Sequence, residues 1–285
     1  MHTQMTMNYR RRRLIDAVMG GLCTLAALLG VLLLGLILWM LIDKGMKGLS
    51  PTVFTNSMAS PGNNGGLANA IYGSLVQTGI GAAIGAPFGM LVGVYLAEVG
   101  RNGKIASVVR FVNDILLSAP SIWIGLFVYQ IAVAPVGHFS AWAGSLALAL
   151  LAMPIVARTT EDILRLVPDA YRDGAIALGS RENVTIRKVI IPAAFGGILT
   201  GMLLAVARIA GETAPLIFTS LGSNLWSTDL NKPMASLPIA IYRYAGSPYE
   251  EWTSLAWTGA LIITVGVLAL NVGSRLSHQL ATRRR

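Results

Sequence analysis

Arg208 and Glu212 stand four residues apart inside an apolar stretch, Ala193 to Thr219. The stretch is about 27 residues long, enough to cross ~30 Å of hydrocarbon as a helix. Its centre falls near Val206, which puts Arg208 roughly 3 Å from the midplane. Insertion of an arginine there costs about 2.5 to 3.5 kcal/mol, so such a residue rarely faces lipid. A spacing of four places both groups on one helix face, where they either form a structural ion pair between helices or line a path for an ion or substrate. Ionisable groups in a membrane default to function, and the pathway is the preferred reading. An arginine suits an anionic passenger, because its planar fork meets phosphate or carboxylate oxygens bidentately where lysine offers a point charge. Arg158, at the end of an earlier apolar stretch, is a third candidate; a plain interfacial anchor is its alternative.

Other chemistries find little support. No G-x-x-x-x-G-K-[ST] pattern occurs, so the chain cannot hydrolyse ATP by itself. His2, His138 and His278 are scattered, and neither H-E-x-x-H nor G-x-S-x-G is present, which leaves zinc and serine-hydrolase mechanisms without residues. The single cysteine, Cys23, lies in the first apolar stretch; it excludes an internal disulfide framework and reads as a packing residue.

The elements that must position these charges are membrane helices. With 54% hydrophobic and 12% charged residues and a mean hydropathy of +0.63, the chain reads as an all-α polytopic membrane protein. Six spans are expected, at about 17 to 42, 71 to 97, 112 to 134, 141 to 157, 193 to 219 and 253 to 274. The net charge of +9 does not indicate a nucleic-acid partner, because the basic residues flank apolar spans. Most of the 22 Lys and Arg fall on one side of the expected membrane, against Lys44, Lys47, Lys232 and Arg243 on the other. The positive-inside rule then makes residues 1–16 and the basic tail 275–285 cytoplasmic, so both termini are inside. The run after Arg10 to Arg13 is too long for a cleaved signal and reads as a retained first helix.

The outside loop 43–70, with Pro61, Gly62 and Asn63, is expected to be irregular and mobile. Glycines at 81, 85, 89 and 93 cut a smooth groove along the second span, suited to close packing within the chain or to a subunit contact, and Pro87 predicts a kink there. Pro120, between Ser118 and Ser121, marks either a packed kink or a broken helix lining a cavity. The outside loop 220–252 is too apolar to be free and is expected to fold back over the outer mouth or to form a docking surface.

The inside segment 158–192 is too polar for the membrane and too short for a catalytic domain. Pro168 and Asp169 start a helix that stops at Gly179; Ser180 is expected to cap a second, with Glu182 in its first turn and Arg187 and Lys188 in its last. A helix pair pinned between membrane spans presents itself to a protein partner and not to DNA.

That segment resembles the coupling loop of ABC importer permeases, whose pattern is an EAA triplet, a following glycine and a distal Ile-x-Leu-Pro. The matching residues are Asp173, Gly174 and Ala175, then Gly179, then Val189, Ile190, Ile191 and Pro192. Within that class the chain is similar to phosphate-specific permeases of the PstA type, through Ser118 to Phe127, RTTEDILRLVP from Arg158, Tyr171 to Pro192 and RIAGETAPLIFT from Arg208. The resemblance implies a MetI-like permease core over 71–274 and an association of Arg158 and Arg208 with phosphate transport, which with Glu212, read from its spacing, make the expected substrate pathway. It also implies a bacterial plasma-membrane location, a PstC-type partner permease, a PstB-type ATPase holding ATP and magnesium, and a PstS-type external phosphate-binding protein. No cofactor is expected on this chain itself. A permease for another oxyanion such as sulfate or molybdate, a stand-alone channel or secondary transporter, and an intramembrane lipid-modifying enzyme are the competing classes.

Overall fold

The computed structural model describes residues 2–101 and 103–283, with side-chain surroundings for 9, 11–101 and 103–273; Arg284 and Arg285 of the expected basic tail lie outside the described residues. The described residues are helical throughout their regular structure. Five helices are long and apolar enough to cross a membrane, and a bent pair makes a sixth span.

Helix α1, His2–Lys47, stands largely uncovered along its length. Among its described residues it is fastened near the Lys47 end, where Gly45 lies against Leu261 and its carbonyl accepts the Thr258 hydroxyl at 3.0 Å. A short α2, Pro51–Thr55, follows. The intervening loop is not the mobile segment its composition suggests. Val53, Met58 and Leu67 are buried against Ala235, Leu237, Tyr244 and Ala256, and apolar residues so anchored outweigh a glycine-rich stretch between them.

Helix α3, Ala68–Val94, is prolonged by a π-type turn at Tyr95–Val99. It packs on α6, Ala141–Arg165. The glycine groove explains the intimacy of this pair. A Cβ at Gly85 would stand 2.6 Å from the carbonyl oxygen of Ala149, and one at Gly93 2.6 Å from that of Ala157. The groove therefore serves packing within the chain, since only hydrogen at these positions lets the two backbones meet. Ser140 caps α6 by accepting the Ala143 amide at 3.1 Å. The helix passes through Pro154 and continues to Arg165, two turns beyond the apolar span expected from composition, because its last two turns are held by ion pairs.

Between them, the expected third span is broken. Helix α4, Lys104–Ser118, meets α5, Ser121–Val128, at an angle of 104° across Ala119 and Pro120; a π-type turn, Tyr129–Val133, ends α5. Proline removes a donor and disfavours helix in the residue before it, and Ala119 accordingly sits in extended backbone.

Helix α7, Asp169–Ala177, follows α6. Helix α8, Glu182–Thr185, runs through a π-type turn, Ile186–Ile190, into α9, Ile191–Ala210. Two expectations are corrected here. The second helix of the pair does not stop after Lys188; Pro192 fits inside one continuous helix because the widened turn before it lets the Ile191 amide reach the Ile186 carbonyl. The expected single span 193–219 is instead divided: α9 ends at Ala210, residues 211–213 leave the helix, and a short α10, Ala214–Thr219, resumes. Pro215 at the start of α10 suits that restart, because its missing amide would have been unpaired there.

The segment 220–252 folds back onto the ends of α3 and α6 and contains α11, Leu237–Ala245. Asn69 donates to the Asn224 carbonyl at 3.0 Å, Gln77 to the Ala235 carbonyl at 3.2 Å, and Ser74 accepts the Leu237 amide at 2.7 Å. Helix α12, Glu250–Arg283, closes the chain and packs against α11, α1 and α9.

Candidate translocation site and docking surface

The break after α9 brings the two central charges together. Arg208 lies in the last turn of α9, and Glu212 lies beyond the helix, not on its face as a continuous span would require. The two side chains form an ion pair in which Arg208 remains 63% exposed while Glu212 is 8% exposed. Depth follows from the neighbours. Ala205 and Ile209, either side of Arg208, share a buried cluster with Leu148 and Ala152, near the middle of the apolar part of α6. The break leaves a charge at that depth, while the Gly211 and Glu212 amides both turn back to the Ile209 carbonyl, the latter at 3.2 Å.

Arg158 sits elsewhere. It is within α6, paired with Asp114 of α4 at 3.6 Å and with Asp162 at 3.2 Å. Thr159 lies against Gly201, seven residues before Arg208, so the two arginines occupy levels about 10 Å apart along the α6–α9 seam. The structure does not gather them into one cluster; each keeps its own carboxylates.

The loop residues form a second constellation at the arginine-rich pole. Asp173, Gly174 and Ala175 lie in α7, with Asp173 and Gly174 exposed. Gly179 has φ +76° and closes α7. Its amide donates to Ile176 O at 2.9 Å and the Ser180 amide to Ala175 O at 3.0 Å, the paired bonds of a Schellman motif. Ser180 is therefore committed to ending α7 and does not cap the next helix, whose N-cap is Arg181. Ile191 and Pro192 open α9. Helix α7 buries none of its residues, and Leu178 at its tip is 90% exposed.

Sequence patterning missed the residues that fasten α7. Arg172 and Glu98 pair bidentately, with Nε to Oε2 at 3.0 Å and Nη2 to Oε1 at 2.5 Å. The hydrogen bond to Glu98 holds the Arg172 guanidinium above its ordinary pKa, with desolvation opposing. Glu161, 4% exposed, accepts from Arg110 and Arg165, each at 2.7 Å.

A match to the family of binding-protein-dependent transport system inner membrane components covers residues 85–285. The chain belongs to this family. A phosphate transport system permease protein PstA of Haemophilus influenzae is 50% identical over 279 residues, 98% of this chain and 99% of the relative. One of Yersinia pestis with the same description is 51% identical over 269 residues, 94% of this chain and 90% of the relative. Among solved structures, an inward-facing MetNI methionine ABC transporter superposes with a TM-score of 0.63 at 20% identity, over 75% of this chain and 95% of that one. That likeness gives the fold, a MetI-like permease core. As an inner membrane component the chain is a multi-pass membrane protein, a part of a transport system and not an enzyme.

Proposed function

We propose that this chain is the permease subunit of an ATP-driven importer of inorganic phosphate and supplies half of its translocation path. The observation that carries the reading is Arg208, exposed at a helix break in the middle of the bundle and oriented by a buried carboxylate. A phosphate dianion would replace part of the Glu212 contact with the fork of Arg208, and the return of Glu212 would favour its release. A path needs both, binding that admits the ion and competition that lets it go. Arg158 is the basic group at the next level toward the cytoplasm. The descriptions of the relatives from H. influenzae and Y. pestis support phosphate as the passenger.

In this reading both termini are cytoplasmic, as the distribution of Lys and Arg supports. The tip of α7 then enters a groove on a PstB-type ATPase, which holds ATP and magnesium. A PstC-type permease completes the path, and a PstS-type binding protein delivers phosphate to the 220–252 face. The reconstituted complex tests this. Phosphate-loaded binding protein should raise ATP hydrolysis and drive labelled phosphate into vesicles, while sulfate and molybdate should not. Equal transport of sulfate or molybdate would reassign the substrate, and uptake independent of ATP would make the chain a channel.

A further inference from the structure

Helix α7 has no buried residue; Arg101 reaches its Asp169 at 3.5 Å, and Arg172 holds it through a larger set of contacts. Arg172, 11% exposed, uses all five guanidinium N–H donors. Besides Glu98, Nη1 donates to Val167 O at 2.7 Å and to Asp169 at 3.2 Å, and Nη2 to Leu164 O at 3.0 Å. The residue thus ties α7 to the end of α6 and to the turn that ends α3. From the other side, Arg110 of α4 donates to Leu96 O at 2.9 Å, Arg101 O at 2.7 Å and Glu161 at 2.7 Å. The turn Tyr95–Val99 is clamped between two arginines, and α3 is in turn locked along α6 by its glycine groove.

We propose that Arg172 and Glu98 form the strut through which movement of α7 reaches α3, and that they are positioning residues for transport and not contacts to the substrate. The proposal rests on the reading of α7 as the ATPase docking helix. A bidentate pair resists both stretching and shear, where a single hydrogen bond would pivot. Glu98 is 5% exposed, so separation of the pair would leave a buried charge without its partner. With the strut intact, α7 and the adjoining half of α3 move as one body; without it, the ATPase cycle moves α7 alone.

Two variants of the full complex and one measurement on the intact strut test this. Arg172→Met and Glu98→Gln should assemble and hydrolyse ATP but move about tenfold less phosphate per ATP. A wild-type ratio in Glu98→Gln overturns the proposal. Independently, spin labels at Phe88 on α3 and Ala177 on α7, with Cys23 replaced by Ser, report whether the two move together. Their separation should agree within about 3 Å between nucleotide-free and ATP-trapped complexes, since sliding by one helical turn would exceed 5 Å. A larger change overturns the strut even where the variants fail to assemble. Gly179→Val separates this failure from failure of the docking reading. If it retains stimulated hydrolysis, docking falls and the strut with it; if it loses stimulation while Glu98→Gln transports normally, docking stands and the strut alone falls.

Discussion

Replacing Gly85 by alanine should loosen the α3–α6 pair, and the size of the effect follows from the distances. The new Cβ would stand 2.6 Å from Ala149 O and 3.0 Å from the Cβ of Ala152. Ordinary contact for these atoms begins near about 3.3 to 3.5 Å, so the helices must part by roughly 0.7 Å at this level. A gap of that order forfeits about a quarter to a half of each dispersion contact it opens, and forced repacking of a tight core costs about 1 to 3 kcal/mol. Alanine also favours helix over glycine by about 1 kcal/mol, which would mask part of the loss. Gly79 on the same helix supplies the control, because a Cβ there meets nothing within 4 Å. The propensity gain cancels between Gly85→Ala and Gly79→Ala, leaving the steric part, about 1 to 3 kcal/mol, as their difference in stability. Thermal midpoints of the purified complex, followed by the monodisperse fraction remaining after heating, measure it. Equal midpoints for the two variants would refute close backbone approach as the reason for the groove.

Arg208→Lys keeps the charge but loses the fork, and phosphate uptake by the reconstituted complex should fall by the equivalent of about 1.5 to 3 kcal/mol with assembly preserved. Glu212→Gln should slow phosphate release and weaken discrimination against sulfate, read as phosphate uptake with sulfate as competitor; unchanged turnover and exclusion would leave Glu212 as a structural partner. Gly179→Val forces a β-branched residue to φ +76°, a strain of about 1 to 3 kcal/mol, and should abolish ATPase stimulation or co-purification. Gly174→Ala places a methyl where nothing lies within 4 Å and should stabilise α7 by about 1 kcal/mol, seen as slower amide exchange in that helix.

A chain of five or six apolar crossings was legible because burial in lipid demands long apolar runs, and Arg208 and Glu212 were conspicuous as charges within one; that two of the runs are broken, and that the pair forms across a helix end, was not. Gly179 was legible for a similar reason, since a left-handed terminus asks for glycine. What remained hidden depends on distant partners. Glu98 and Arg172 are 74 positions apart, and Glu161 looks like any helix-surface carboxylate until α4 brings Arg110 against it. The break after Ala210 carries a weak local signal, Gly211 and Pro215, in a run whose hydropathy argues for one continuous span. The continuity of the helix through Pro192 was hidden too, because the π-type turn that tolerates it leaves no mark in composition.

The continuity from Glu182 to Ala210 has a mechanical consequence. Twenty-nine residues without a stop make a rod of about 43 Å, with the end of the α7–α8 unit at one tip and the Arg208–Glu212 pair at the other. A tilt of only 5° about the basic tip sweeps Ala210 through about 4 Å, comparable with the whole reach of an ion pair. A small rotation at the arginine-rich tip therefore becomes a displacement of several ångströms at the level of the Arg208–Glu212 pair.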